Sequence, residues 1–136
     1  MKYRIKTLSN GLRVANFSSP HHFKFTDGTE LPRVSKRTVD RLSLKVKETV
    51  LRSRTLNYTT IQDISVDFTL TPEIRIEMIL WQRIYNDNLV DIVIVPLPVL
   101  KAIQKEEYFF NQRVFRCIRL ASREDKIIEI DKFTTL

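Results

Sequence analysis

Ile64-Ser-Val-Asp-Phe-Thr-Leu70, followed by Thr71-Pro72 and then by Glu73-Ile-Arg-Ile-Glu-Met-Ile-Leu-Trp81, is the stretch that decides the fold class. Apolar residues at 64, 66, 68 and 70 alternate with polar ones, which predicts a half-buried strand with that set turned inward. Thr71-Pro72 is a helix start: a hydroxyl that can cap free backbone N–H groups, then a proline where its missing N–H costs nothing. Ile74, Met78, Trp81 and Tyr85 recur at steps of four, three and four, so one apolar stripe runs along a helix expected to reach about Asn88. Val90-Asp-Ile-Val-Ile-Val95 has the β-branched composition of a strand covered on both faces. Strand, helix and strand from Ile64 to Val95 therefore predict a parallel βαβ crossover.

Upstream, Leu12 to Phe17 and Phe23-Lys-Phe25 read as short strands, and Thr26-Asp-Gly-Thr29 as a tight turn. Leu31-Pro32 ends that excursion, and Ser35 is placed to cap a short helix through Arg41. Leu42, Leu44 and Val46 alternate with polar residues as a second half-buried strand, residues 52–60 read as a loop before Ile64, and the two strands can pair as a hairpin across it. Downstream, Pro98 opens a helix through about Phe109. Two last strands, Val114 to Ala121 and Lys126 to Phe133, turn at Arg123-Glu-Asp125. The expected architecture is α+β: a mixed sheet of about six or seven strands with two main helices, one βαβ crossover and antiparallel ends, in a single domain over residues 1–136.

The chain has 136 residues, 43% of them hydrophobic and 29% charged, which is enough to build a core. A lone cysteine, Cys117, excludes an internal disulfide, and its neighbours Phe115 and Ile118 place it at a core position. No apolar run is long enough to span a bilayer, and no signal-peptide pattern follows Met1, so a cytoplasmic location is expected. The formal charge of +7 is unevenly spread. Residues 1–60 hold 13 Lys/Arg against 4 Asp/Glu, whereas residues 61–136 hold 10 against 12. A basic half attracts phosphates, nucleic acid or an acidic partner, although it also suits a plain solvated surface.

The densest polar constellation is Asn16-Phe-Ser18-Ser19-Pro-His21-His22-Phe23, followed by Asp27 and Thr29. Serine, histidine and aspartate are the members of a nucleophilic triad. Adjacent residues of an extended segment point to opposite sides, however, which makes this local cluster a poor one. Two neighbouring histidines and one distant cysteine do not have zinc-site spacing. Asp63 with Asp67, or Glu73 with Glu77, offers an acid–base pair in principle, yet these positions equally suit surface residues. With only Gly11 and Gly28, phosphate-loop and dinucleotide glycine patterns are absent, and neither a cofactor nor a metal is expected. Ligands in open sheets gather beyond the carboxyl ends of parallel strands, here Thr69-Leu-Thr71 and Val95 to Pro98. The expected ligand-binding set is therefore Ser18, Ser19, His21, His22, Asp27, Thr29, Thr71 and the cations Arg33, Lys36 and Arg37, with Arg41 nearby.

Asn16-Phe-Ser-Ser-Pro-His21, Asp27-Gly-Thr-Glu-Leu-Pro32 and Val90 to Leu100 resemble small uncharacterised proteins encoded by phages and other DNA viruses. Arg116-Cys-Ile-Arg119 and Ile128 to Phe133 fit the same layout. The resemblance implies an accessory protein of the host-cell cytoplasm and carries no activity with it. Three functions are then open. The first is a binding protein without catalytic activity, engaging a host protein or a small phosphorylated ligand and able to form a homo-oligomer. The second is a nucleic-acid-binding accessory protein, with Phe23, Phe25 and Tyr58 as stacking surfaces. The third is a small hydrolase using His21 or His22.

Overall fold

The computed structural model describes residues 5–106, 115–117, 127–131 and 133–134. The elements begin with β1 (Ile5–Thr7), β2 (Arg13–Asn16), β3 (Phe23–Phe25), β4 (Glu30–Leu31) and α1 (Lys36–Arg41). Next come β5 (Lys45–Leu56), β6 (Thr59–Thr69), α2 (Pro72–Asn86) and β7 (Ile92–Ile94). The chain then forms α3 (Leu97–Gln104), β8 (Phe115–Arg116) and β9 (Ile127–Ile128).

Among the described residues the strands form three sheets, not one of six or seven strands. The central sheet has the order β1-β2-β7-β8, antiparallel at β1 and parallel from β2 onward. A second, β4-β3-β9, and a third, the ribbon β5-β6, are separate from it. The α+β class stands.

Alternation along the central strands explains the layering. Ala15 and Val93, adjacent in register, face one way and pack with Ile74, Met78 and Trp81 of α2 and Leu100 and Ile103 of α3. Val14, Ile92 and Ile94 face the other way, onto Phe23, Phe25, Leu31 and Ile128 of the second sheet. Val90 and Ile92 to Val95 are all buried, as a strand covered on both faces requires. The helix starts also follow local chemistry. Ser35 Oγ accepts from Thr38 N at 3.2 Å, and Thr71 Oγ1 from Ile74 N at 3.3 Å.

The expected crossover from Ile64 to Val95 does not form. Both neighbours of β7 are taken, by β2 and β8, so no edge remains for β6, and the parallel βαβ unit is β7-α3-β8. Residues 52–60 are not a loop. They complete a long hairpin turning at Asn57-Tyr58, whose φ values of 48° and 63° match the paired left-handed residues of a two-residue hairpin turn. Closing that short turn costs far less entropy than bringing β6 to a distant strand. The apolar positions expected to face inward there are consequently outside. Val46, Ile64, Val66 and Phe68 are exposed, and only Leu42 and Leu70 at the ribbon's base are buried. Cys117 is half-buried against the core. The expected helix end near Phe109 and the turn at Arg123-Glu-Asp125 lie outside the described residues.

Candidate functional site

The constellation from Asn16 to His22 is a structural loop. Buried Asn16 accepts the Ser19 amide at 2.8 Å through Oδ1 and donates through Nδ2 to the carbonyls of Ser19 (3.0 Å) and Pro32 (3.3 Å). Ser18 and Ser19 are buried, and Ser19 Oγ accepts the His21 backbone amide at 3.2 Å. Both histidines are exposed, with His22 Nε2 3.5 Å from Glu30 Oε1. No described hydrogen bond joins either imidazole to a serine. Asn16→Ala would strand a buried amide and two carbonyls, and is expected to cost about 2–3 kcal/mol in denaturant melts; an unchanged midpoint would show that the loop is not held this way.

Asp27 and Thr29 also serve the backbone. Asp27 accepts the amides of Ser9 (2.7 Å) and Thr29 (2.9 Å), and these, the Ser9 amide first, hold its carboxyl down to about 2. A carboxyl depressed in the folded state stabilises above its unfolded value and loses that contribution as pH falls through the folded one. The melting-temperature gap between wild type and Asp27→Asn should therefore be full at pH 5 and shrink between about pH 4 and pH 2. A gap constant across that window would contradict the two amide bonds.

The structure does gather part of the expected cationic set. A cavity of about 770 Å³ opens beyond the carboxyl end of β2, between the Asn16–Phe17 turn, the segment from Pro32 to Arg41 and one face of α2. Arg33, Lys36 and Arg41 line its rim, and Ser35 and Thr38 add hydroxyls. Phe17, Leu31 and Trp81 supply apolar wall, and Glu77 a carboxylate. Glu77 and Trp81 are one helical turn apart on α2, and both are largely buried. Arg41 NH2 stands 3.6 Å from Glu77 Oε2, so the most buried charge of the cavity has a counter-ion. Arg33 and Lys36 make no ion pair among the described residues.

Arg37, His21, His22, Asp27, Thr29, Ser18, Ser19 and Thr71 do not line this cavity. Thr71 is occupied in capping α2. Sequence reasoning left Phe17 and Trp81 out of the site and weighed Glu77 only as an acid–base partner of Glu73, because strand end and helix face meet only through packing. No family model, no curated protein and no solved structure matches this chain. The residues themselves must carry the functional argument.

Other charged clusters have structural duties. Arg13 forks onto Asp91 through Nε (3.0 Å) and NH2 (2.9 Å) and also binds Asn88, which fastens β2 to the start of β7. The guanidinium hydrogen bond holds the Asp91 carboxyl below its ordinary range. Arg75 makes a similar fork onto Glu106, joining α2 to the end of α3. Among the described residues, no group of three His, Cys, Asp or Glu side chains is placed to hold a metal ion. None of the described helices is long and apolar enough to cross a membrane.

Proposed function

We propose that this protein is a non-enzymatic binding protein whose cavity takes a small phosphorylated ligand of nucleotide size. The observation that carries this reading is the rim pair Arg33 and Lys36, two cations without ion-pair partners among the described residues, over a cavity with an apolar wall. A volume of about 770 Å³ suits a mononucleotide, and small-molecule sites combine apolar walls with few polar groups in this way. The phosphate sits on Arg33 and Lys36, which match its charge and, for arginine, its geometry. Glu77, 3.6 Å from Arg41, offers acceptor oxygens to hydroxyl or amino groups at the ligand's other end. In the infected-cell setting that the viral resemblance implies, such a protein sequesters a nucleotide signal.

Thermal melts against mononucleotides, cyclic nucleotides and inorganic phosphate, at low and high salt, test this. A ligand at about 100 times its Kd adds roughly 2.7 kcal/mol, a visible shift. A mononucleotide shift that Glu77→Gln weakens supports the reading. Absence of a shift with every phosphorylated compound rejects it.

A second reading, nucleic-acid binding, is favoured by a different observation. Residues 33–54, which form α1 and β5, carry eight Lys/Arg against Asp40 and Glu48. A phosphate backbone tracking that run gives an affinity that falls steeply with salt. Oligonucleotide shifts lost at high salt, with none from mononucleotides, select this alternative.

A further inference from the structure

The ribbon β5-β6 puts its apolar side outward. Cross-strand neighbours share a face, so the pairs Val46–Phe68, Glu48–Val66 and Val50–Ile64 form one side. Lys45–Thr69, Lys47–Asp67 and Thr49–Ser65 form the other. The polar side is the one tied to the body, through the ion pair of Asp67 with Lys105 at the end of α3. The apolar side meets the core only at its base, through Leu42, Leu44 and Leu70, and beyond that its apolar residues run from 37% exposed at Phe68 to 51% at Val46 and Val50. Leu51, the extra residue at the register shift, is 67% exposed beside them. A soluble surface normally reverses this arrangement, with the apolar side turned in.

We propose that this apolar side packs against the same side of a second copy of the chain, making the ribbon a homodimerisation arm. The area argues for a second copy. Phe68, Val66, Ile64, Val50, Val46 and Leu51 leave roughly 500 Å² uncovered, the upper range of what a monomer carries. Two such patches bury about 1,000 Å² together, the smallest size of a specific interface. The composition argues the same way, since Glu48 is the one charge among these paired residues and homodimer centres are apolar and poor in charge. The ribbon also needs a cover. A two-stranded hairpin standing free is marginal by itself, and a mate of the same sequence is present wherever the first copy is. The proposal is independent of the cavity and its ligand.

Sedimentation equilibrium from about 1 to about 100 µM, the span in which a small interface dissociates, is the test. Wild type is expected to dimerise. Ile64→Lys places an unpaired charge in the centre of the interface and should weaken the dimer by at least about 100-fold. Glu48→Val removes the only charge there and should tighten it by about tenfold. Both positions are solvent-exposed in the single chain, so circular dichroism and melting temperature of the dilute protein should stay near wild type. A wild type that is monomeric throughout overturns the proposal. So does a dimer that Ile64→Lys leaves intact or that Glu48→Val weakens.

Discussion

Trp81→Ala is expected to lower the unfolding free energy by about 3–5 kcal/mol, a large share of the roughly 5–15 kcal/mol that a domain holds. Trp81 is 4% exposed and lies on the α2 stripe between Met78 and Ile84, which packs against Ala15, Val93 and Phe115. Removing the indole leaves a void that the surrounding strands, held by the ladders of β2, β7 and β8, can close only in part. The measurement is a urea titration at constant m value, with the lost stability read from the midpoint. A nearly unchanged midpoint would mean that α2 turns a different face to the sheet. The same indole is part of the cavity wall, so the variant has a second expected result. Even well below its midpoint, it should give a smaller mononucleotide shift than wild type.

What was legible in the sequence is what short-range chemistry decides. Ser35, Thr71-Pro72 and Asp27-Gly28 each act within three residues, and each cap or turn stands where the residues predict it. The stripe of α2 was legible because burial on a helix repeats with the helix itself. Of the strand partners only the hairpin pairing of β5 with β6 was, because the other pairings are settled by which edges remain after packing. The Ile64 to Leu70 alternation reads equally well for a core strand and for a ribbon, and period 2 does not say what covers the apolar side. The ribbon's turn was hidden for a specific reason. Both central residues adopt positive φ, a conformation that glycine signals and that Tyr58 does not.

The site was half legible. Arg33 and Lys36 were found from charge, and the rule that ligands gather beyond parallel strand ends pointed to the right kind of place. That rule was attached to the ends of β6 and β7, whereas the cavity lies beyond β2, whose parallel partners on β7 are 78 residues away in sequence. Glu77 looked like a surface carboxylate of an exposed helix face. Its burial depends on α1 folding over α2, which brings Arg41 to it. The serine–histidine cluster misled for the opposite reason. Its residues are polar because the loop has backbone groups to satisfy, and Asn16 and Ser19 satisfy them locally.

The double variant Arg33→Ala with Lys36→Ala should weaken mononucleotide binding by roughly 100-fold while leaving the fold untouched. Both side chains stand on exposed positions at the cavity rim, and neither has an ion-pair partner among the described residues to lose. Stability should thus stay within about 0.5 kcal/mol of wild type. Affinity should not. A charge-assisted hydrogen bond to phosphate contributes about 1.5 kcal/mol at such a partly wet site, so losing two raises Kd by roughly 100-fold. Isothermal titration with the mononucleotide that gave the largest melting shift reads this directly. The two single variants are compared with Arg37→Ala, one residue beyond Lys36 on α1 but off the cavity, which likewise removes one charge. If all three cations matter equally, long-range attraction is responsible, and salt will erase the difference. If only Arg33 and Lys36 matter, contact with the phosphate is responsible, and the cavity is the binding site.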